Sequence, residues 1–437
     1  MSELHHIVVV GGGAGGLELA TRLGKRLGRS GRANVTLVDR NRTHVWKPLL
    51  HEVAAGSMDI HAHQLDYPAQ ARWHHFSFCY GALEALDRGR REISVAPVLD
   101  ERGAEVIPRR VLRYDTLVLA VGSVANSFGM PGVAEHAFAL DSADEADRLH
   151  RRLVNACLRA NYRASPDRPA HLRVVIVGGG ATGVELAAEL HNTTRVLAAY
   201  GLANIDPERY LRLTLVNADS RLLAQLPERI SLAAAEILEE LGVAVLNGEQ
   251  VVEVAASEVK LKSGKSLSTD LTVWAAGIKC ADFLRGLGGL ETNCSNQLVV
   301  VATLQTTRDS DIFAIGDCAA CPWEGHAMPV PPRAQAAHQQ ASHLLGSIER
   351  RLRGKPPRPF HYRDFGSLVS FGEYSTIGTL MGFLSGKSLR VEGWFARLMY
   401  LSLYKLHLLA LHGFLGVVLD SLARLLKRGT EPRVKLH

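Results

Sequence analysis

The sequence predicts an α/β protein with two nucleotide-binding units followed by an amphipathic helical tail. Three observations predict this architecture. A run of branched apolar residues ends in clustered glycines at residues 7–16, a near copy of that stretch occupies residues 173–190, and a leucine-rich segment begins at Gly393. A buried parallel strand that ends at a glycine-rich turn is typical of a phosphate-binding βαβ unit.

Length and composition describe a globular protein of two or three domains. The chain has 437 residues, of which 47% are hydrophobic and 22% charged. Its net charge of +6 suits an anionic membrane surface or nucleic acid and does not choose between them, but we recognise no nucleic-acid-binding module. Six cysteines are too few for a disulfide scaffold in a chain of this length. The first residues lack a basic region followed by an apolar core, so we expect folding in the cytoplasm without a secretory signal.

The first unit has the G-x-G-x-x-G frame at Gly11, Gly13 and Gly16, and a helix is predicted over residues 17–27. In this frame the first glycine makes the turn, the second lets the backbone approach a pyrophosphate, and the third allows close helix–strand packing. The helix N-terminus attracts phosphate groups. A second strand then ends in Asp39, where a carboxylate would bind a ribose hydroxyl. An ordinary glycine-rich turn is the alternative.

The second unit repeats this frame at Gly178, Gly180 and Gly183. Its next strand ends in Asn217, where the first unit has an acid. Two such units, about one domain apart, imply two bound dinucleotides of a Rossmann-type fold, one for each unit.

Further strands are predicted to end near the two turns. Residues 114–123 run into Gly122, an edge that can cover an adenine, and residues 270–278 mirror them in the second unit. Residues 311–317 end at Gly316 and Asp317, which would point a carboxylate toward the first unit.

Other segments have simpler patterns. Alternation over residues 77–98 suggests antiparallel strands, and residues 141–162 predict a charged helix. The loop at 40–56, which contains Lys47, either lines a ligand or is an ordinary packed connection. A helix at 333–341 places three polar residues on one face: Gln335, His338 and Gln339.

The tail is predicted to form two helices that meet near Gly413. A membrane-spanning helix would place Lys405 near its centre, at a cost of about 2.5–3.5 kcal/mol. A pair of core helices is a second interpretation. We favour a third, an anchor lying in the membrane plane, because a wide apolar face is flanked by basic residues. The basic residues expected to meet anionic lipid are Arg424, Lys427, Arg428, Arg433 and Lys435.

Together these features resemble the flavoproteins with two dinucleotide-binding domains, and within them the bacterial type II NADH dehydrogenases. The similarity covers essentially the whole chain. Its most specific segments are residues 46–57 (W-K-P-L-L-H-E-V-A-A-G-S), 176–191, 273–279, 304–309 and 330–339. The resemblance implies four regions: a first part of an FAD domain at 1–165, an NADH domain at 166–290, a second part of the FAD domain at 291–380, and an anchor at 381–437.

The resemblance also implies roles for individual residues. FAD is expected on Gly11, Gly13, Gly16 and Asp39, with Gly316 and Asp317 at its ribityl–phosphate portion. NADH is expected on Gly178, Gly180 and Gly183, with Glu185, Ala276 and Gly277 near the nicotinamide. Gln335 and His338 are expected at the mouth of a quinone site. Further candidate cofactor contacts are Lys47, Gly122 and Asn217, and we expect no metal ligands.

The implied activity is FAD-dependent oxidation of NADH with electron transfer to a membrane quinone, without proton pumping, at the cytoplasmic face of a bacterial inner membrane. Anionic lipids, and a second copy of the chain bound through the tail, are the implied partners. The proton route to quinone stays open among His338, Glu185 and Lys405. A surface acid and a buried neutral histidine are the simpler interpretations of Glu185 and His338.

Asn217 departs from the family pattern, in which an acid binds the adenosine ribose and repels a 2′-phosphate. Asp219 is a possible substitute acid, whereas Arg221 would attract the phosphate of NADPH. We expect NADH because the rest of the frame is intact.

Other functions remain as alternatives. A disulfide reductase would need a cysteine pair in residues 40–56, which contain none. A sulfide:quinone reductase would also need cysteines near the flavin, and Cys157, Cys280 and Cys294 are not in the places where such cysteines are recognised. Cys318 and Cys321 form a C-x-x-C pair, whose spacing is either incidental or has a redox or metal role. The alternative that is not an enzyme is a flavin-bearing redox sensor or scaffold at the membrane, which binds flavin but does not turn over a substrate.

Overall fold

The computed structural model describes residues 4–163, 171–200, 210–371, 376–381, 388–427 and 434. Arg428, Arg433 and Lys435 lie outside these residues, and the side chains of Arg424 and Lys427 are not described.

The described strands are, in chain order, β1 (His5–Val10), β2 (Ala33–Asp39), β3 (Thr43–His44), β4 (Leu65–Asp66), β5 (Ser77–Tyr80), β6 (Leu83–Asp87), β7 (Glu92–Val95), β8 (Val98–Leu99), β9 (Glu105–Ile107), β10 (Arg110–Arg113), β11 (Thr116–Leu119), β12 (Val124–Ala125), β13 (Ala137–Ala139), β14 (Leu172–Val177), β15 (Leu211–Asn217), β16 (Ala244–Asn247), β17 (Val251–Val254), β18 (Glu258–Leu261), β19 (Ser266–Ser268), β20 (Leu271–Trp274), β21 (Ile278–Lys279), β22 (Leu298–Val299), β23 (Gln305–Thr306), β24 (Asp309–Ala314), β25 (Ala319–Ala320), β26 (Gly366–Ser370), β27 (Thr376–Met381) and β28 (Ser388–Glu392). The described α-helices are α1 (Ala14–Leu23), α2 (Leu50–Ala55), α3 (Ile60–His63), α4 (Tyr67–His74), α5 (Val133–His136), α6 (Ala143–Arg163), α7 (Ala181–Ala199), α8 (Glu228–Glu240), α9 (Ala334–Arg351) and α10 (Gly393–Lys427).

The first sheet has the strand order β23-β24-β11-β1-β2-β5, and its strands are parallel except for β23. The β1 residues 7–10 are all buried, as expected for a central strand covered on both faces. In the register, Val10 pairs with Leu119 on one side and with Val38 on the other. The carboxyl ends of three neighbouring strands therefore meet at the first glycine turn.

The second sheet repeats this arrangement with the all-parallel order β13-β20-β14-β15-β16. Val177 at the end of β14 pairs with Val216 and with Trp274, which again brings three strand ends to a glycine turn. The prediction of an α/β fold with two similar nucleotide-binding units is confirmed. Ligands of such sheets bind at the carboxyl ends of the strands.

The prediction of antiparallel strands over residues 77–98 is wrong for its first part. β5 lies parallel to β2 at the edge of the first sheet, whereas β6, β7 and β10 form a separate antiparallel sheet. The reason is that α4 returns the chain to the start of the sheet before β5, which makes a parallel crossover.

The tail helix α10 is broken at Gly413, which has φ 76° and ψ 173°, so the prediction of two helices meeting there is confirmed. The first half packs against α1 and the β26–β28 sheet, with His407, Leu408 and Leu411 buried. The ion pair of Lys405 with Asp420, at 3.2 Å, joins the two halves across the break.

The opposite face of the tail is apolar and exposed. Its exposed side chains are Leu406, Leu409, Phe414, Leu415, Val418, Leu419, Leu422 and Leu426. Within the described chain, Tyr404–Ala423 is long and apolar enough to cross a membrane by length and composition, with a mean hydropathy of 1.7. Gly413 interrupts the helix inside this stretch.

Candidate functional site

A cavity of about 2000 Å³ connects the two glycine turns with the tail helix. Its wall contains both turns, the loop that follows β2, the first turn of α9, and Tyr404, Leu406 and His407 of α10. A ligand at either turn and a ligand entering beside the tail would therefore share one space.

The first turn has the geometry that a pyrophosphate requires. Gly11 has φ +99°, and a Cβ there would overlap the carbonyl of Ala120. A Cβ on Gly16 would overlap the carbonyl oxygen of Gly11, so close packing of α1 on the turn needs glycine. Around Gly13, which precedes α1, no atom lies within 4 Å of a built Cβ. This open space at a helix N-terminus fits the phosphates of a dinucleotide.

Asp39, the last residue of β2, lies beside the first turn and is hydrogen-bonded to it. Its Oδ2 accepts a hydrogen bond from the N–H of Gly12 at 2.6 Å, and its Oδ1 accepts from the N–H of Asn41 at 2.7 Å. Burial raises the pKa of this carboxyl group, while the two N–H donors oppose the shift. The carbonyl of Gly12 in turn accepts from the hydroxyl of Tyr67 at 2.8 Å and lies 2.9 Å from Nδ1 of His44.

The second turn has nearly the same backbone. Gly178 has φ +122°, and a Cβ there would overlap the carbonyl of Ala275. A Cβ on Gly183 would overlap the carbonyl oxygen of Gly178, and no atom lies within 4 Å of a built Cβ on Gly180. Both turns therefore leave the same space for a pyrophosphate.

The strand-end residue of the second turn is engaged differently. The buried Asn217 donates from Nδ2 to the carbonyl oxygens of Asp219 and Arg221, and to Oδ1 of Asn247 at 2.8 Å. The guanidinium of Arg221 donates to carbonyls of its own loop and to the hydroxyl of Ser231. Arg221 is thus held in the loop, whereas the exposed Asp219 lines the cavity.

Four candidate residues of the FAD region lie together on the cavity wall: Lys47, Gly122, Gly316 and Asp317. Nζ of Lys47 donates to the carbonyl of Ser123 at 2.8 Å and to Asp141 at 3.1 Å. The Ser123 hydroxyl donates to Asp317 at 2.7 Å. A polar chain therefore joins the 40–56 loop to the strand end after β24. On the second unit, Ala276 and Gly277 line the same cavity.

Glu185 lies buried on the first turns of α7. Its Oε1 accepts from the N–H of Ser370 at 3.0 Å, and its Oε2 lies 3.6 Å from Nδ1 of His51. Burial raises the pKa of Glu185 to about 8, and the nearby carboxyl groups of Glu52 and Glu189 add to the shift. Burial lowers the pKa of His51 to about 4. At neutral pH the pair therefore consists of a protonated acid and a neutral imidazole, not of two charges.

Gln335 and His338 both line the cavity, with different partners. Gln335 donates to Asp364 and to the carbonyl of Gly366, so its amide orders the chain before β26. Nδ1 of His338 lies 2.6 Å from Oε2 of Glu18, which also pairs with Arg22 at 2.8 Å. Lys405, the third proton-route candidate, pairs with Asp420 instead.

The structure adds three candidate site residues that the sequence did not single out: His44, His407 and Glu18. None of them belongs to a recognisable motif. Nε2 of His407 on the tail lies 3.0 Å from Nε2 of His44, and both side chains are buried beside Trp46. Only the spacing of Glu18 from Gly16, which matches that of Glu185 from Gly183, is a sequence signal for any of them.

The cysteines offer little chemistry. Burial raises the pKa of Cys318 and of Cys321 to about 11, so both thiols are protonated at neutral pH. Among the described residues, no group of three or more His, Cys, Asp or Glu side chains could hold a metal ion.

Comparison with known proteins agrees with this geometry. Residues 5–341 match the family model described as pyridine nucleotide-disulphide oxidoreductase. The chain is 42% identical to the type II NADH:quinone oxidoreductase of Haemophilus influenzae, over 99% of this chain and 100% of the relative. It is 28% identical to the Staphylococcus aureus protein of the same name, over 86% of this chain and 90% of the relative.

Solved structures show the same fold. NDH2 from Plasmodium falciparum in complex with NADH matches over 100% of both chains, with a TM-score of 0.81 at 19% identity. The sulfide:quinone oxidoreductase of Aquifex aeolicus matches over 98% of this chain and 96% of its own, with a TM-score of 0.71 at 17% identity. The family model and the Haemophilus influenzae relative together show that this chain belongs to the pyridine nucleotide-disulphide oxidoreductase family and, within it, to the type II NADH:quinone oxidoreductases.

Proposed function

We propose that the protein oxidises NADH with FAD and passes the electrons to a membrane quinone, without pumping protons, and so feeds a respiratory chain. The observation that carries the proposal is the cavity that joins both glycine turns to the tail helix. A nicotinamide, a flavin and a quinone must come close together in such a reaction. The cavity has three regions that could hold them: the first glycine turn, the second glycine turn and the part beside the tail helix.

FAD is assigned to the first unit. Asp39 and the open N-terminus of α1 would hold its adenosine and pyrophosphate, and Gly316 and Asp317 its ribityl–phosphate portion. When bound there, FAD supplies the ability to accept a hydride and to return two electrons. Lys47 and Ser123 hold Asp317 and the neighbouring chain in place through their hydrogen bonds.

NADH is assigned to the second unit, with its pyrophosphate on the N-terminus of α7. The small residues Ala276 and Gly277 leave room for a nicotinamide to lie flat in the cavity. The protonated Glu185 would donate a hydrogen bond near that ring, whereas an ionised acid there would attract the cationic product and hold it. Glu185 thus supports both binding and release.

The quinone is assigned to the tail end of the cavity, where Gln335, His338, Tyr404 and His407 line the wall. The exposed apolar face of α10 supports an anchor lying in the membrane plane, which we assign to the cytoplasmic face of the inner membrane. The break at Gly413 inside the apolar stretch favours this orientation over a straight span. A second copy of the chain, bound through the C-terminal region, is the other partner we propose.

The domain division follows the same assignment. We propose FAD-domain segments at 1–165 and 291–380, an NADH domain at 166–290 and an anchor at 381–437. The absence of proton pumping is supported by the tail, because pumps carry ionisable residues along several spanning helices. In the described chain, one apolar stretch meets the length and composition of a span.

The test is a steady-state assay of the flavin-loaded protein with a soluble quinone analogue, comparing NADH with NADPH. We expect turnover with NADH and at least tenfold lower kcat/KM with NADPH, since Asp219 and Glu249 line the second unit and Arg221 is engaged. A flavin-loaded protein with no turnover would instead support a sensor or scaffold at the membrane.

A further inference from the structure

Two buried histidines join the tail to the first glycine turn. His407 of α10 is 3% exposed and His44 is 4% exposed, and their Nε2 atoms lie 3.0 Å apart. The ring of Trp46 lies 4.3 Å from the ring of His407, centroid to centroid. His407 therefore sits at the wall of the cavity, between the region assigned to quinone and the turn that we assign to FAD.

The hydrogen bonds fix the tautomers of both rings. The carbonyl of Gly12 can only accept, so Nδ1 of His44 carries its proton and Nε2 of a neutral His44 is an acceptor. Nε2 of His407 must then carry a proton to donate to it. Nδ1 of His407 is left as a base, and within the described part of the chain it has no hydrogen-bond partner.

We propose that His407, oriented by His44, is the group that delivers a proton to the quinone from its Nδ1 atom. This inference rests on the proposed NADH:quinone activity and adds the proton donor to it. His407 would be a catalytic residue and His44 a positioning residue that holds the imidazole with Nδ1 available.

In the overall reaction NADH, quinone and one proton become NAD⁺ and quinol. The hydride of NADH supplies both electrons and one of the two quinol protons, and solvent supplies the other proton. Nδ1 of His407 takes up a solvent proton and gives it to a quinone oxygen; the N–H bond breaks as the O–H bond forms. The ring returns to the neutral form that still donates to His44.

The groups around His407 determine at which stage of the reaction its ring takes up a proton. Burial, with His44, His338 and His412 facing the ring, lowers the pKa of His407 well below its usual value. A resting His407 is thus neutral, and its protonated form is a strong donor. Negative charge that develops on a quinone in the cavity favours the protonated imidazole, so uptake of the proton is coupled to electron transfer.

His338 is less suited to this role. Its Nδ1 atom is 2.6 Å from Glu18, a buried carboxylate that also pairs with Arg22. That bond fixes the ring of His338 as a partner of the first unit and leaves its side chain 40% exposed, whereas His407 is 3% exposed and is held by a second histidine.

The test compares the flavin-loaded H407A and H343A variants with the wild type. His343 lies on α9, does not line the cavity and is not among the groups that shift the pKa of His407, so H343A is the histidine-to-alanine control. Bleaching of the flavin absorbance by NADH is followed first, and its return is then followed with a quinone analogue or with ferricyanide, which accepts electrons without protons. We expect H407A to slow the quinone step about 100-fold, in kcat rather than KM, and to leave the ferricyanide step unchanged.

Added imidazole should restore part of the quinone rate in H407A, and D₂O should slow the quinone step of the wild type but not its ferricyanide step. A wild-type quinone rate in H407A, or a change in KM alone, would overturn the assignment of His407. If H407A loses its flavin, the D₂O comparison on the wild type decides, and equal rates in both solvents count against the proposal. A wild type that reduces no quinone at all would instead refute the proposed function.

Discussion

The two glycine turns have almost the same backbone but different surroundings. In the first turn, side chains of Tyr67 and His44 bond the carbonyl of Gly12, whereas in the second the backbone N–H of Leu223 bonds the carbonyl of Gly179. The first strand-end residue is a carboxylate that accepts hydrogen bonds. The second, Asn217, is an amide whose N–H groups are donated to its own loop.

The acid on the following helix shows the same contrast. Glu18 and Glu185 occupy equivalent positions, two residues after the third glycine. Four residues further on, the first unit has Arg22, which pairs with Glu18 at 2.8 Å, and the second has Glu189, which raises the pKa of Glu185. The first unit is thus locked by charge and side-chain contacts, which suits a retained cofactor. The second unit has no cation at the corresponding position and carries a protonated, neutral acid, which suits an exchanging cofactor.

The largest effects should come from alanine at the third glycine of each turn. A Cβ at Gly16 or at Gly183 would overlap a carbonyl oxygen within its own turn, so the two variants impose the same clash. We expect G16A to be isolated with little FAD. G183A should keep its FAD and lose about 100-fold in kcat/KM for NADH, because the pyrophosphate is displaced.

Flavin content by absorbance and NADH kinetics measure both outcomes. Loss of FAD from G183A, with retention by G16A, would reverse the assignment of the two units.

Exchange of the strand-end residues should have the next largest effect. D39N removes a carboxylate that accepts from two N–H groups, and we expect FAD to bind about tenfold or more weakly, from about 1.5–3 kcal/mol of lost interaction. N217D places a carboxylate against the carbonyls of Asp219 and Arg221, and we expect it to lower stability by about 1–3 kcal/mol. Flavin titration and thermal melting measure the two. An N217D protein as stable as the wild type would show that the amide is not required.

Glu185 should make stability depend on pH. Its folded pKa, about 8, lies above the ordinary value of 4.5, so between these values the folded state binds a proton that the unfolded state has lost. The free energy of unfolding of the wild type should therefore fall relative to E185Q as pH rises from about 4.5 to about 8, and stay level above that range. Melting temperatures of both proteins across this range test it. A constant difference would mean that Glu185 is ionised in the fold.

The smallest effect concerns cofactor selectivity. D219N and E249Q remove negative charge from the wall of the second unit, so the discrimination between NADH and NADPH should fall, by up to about fivefold for each variant. The ratio of kcat/KM values for the two nucleotides is the measurement. Unchanged selectivity in the double variant would place the discrimination elsewhere.

Local patterns predicted most of this fold. Both glycine turns, the repeat of the sheets and the break at Gly413 follow from short runs of residues whose conformations are set nearby. The direction of β5 was not predictable from its own residues, because the crossover through α4 decides it. The Glu185 side chain was correctly placed on its helix, but the raised pKa depends on packing that the sequence does not display.

The contacts of His407 were the least predictable part of the site. They join the tail to a loop near the start of the chain, and no spacing or motif links residues that far apart. The same is true of the bond between His338 and Glu18.

The central claim is that the protein retains one FAD, which exchanging NADH reduces and a quinone reoxidises. Anaerobic titration of the purified wild type with NADH, followed by absorbance, tests it most directly. We expect one FAD per chain, loss of its absorbance at one equivalent of NADH, and full return on addition of one equivalent of quinone. A protein that carries no flavin, or a flavin that NADH does not bleach, would contradict the claim.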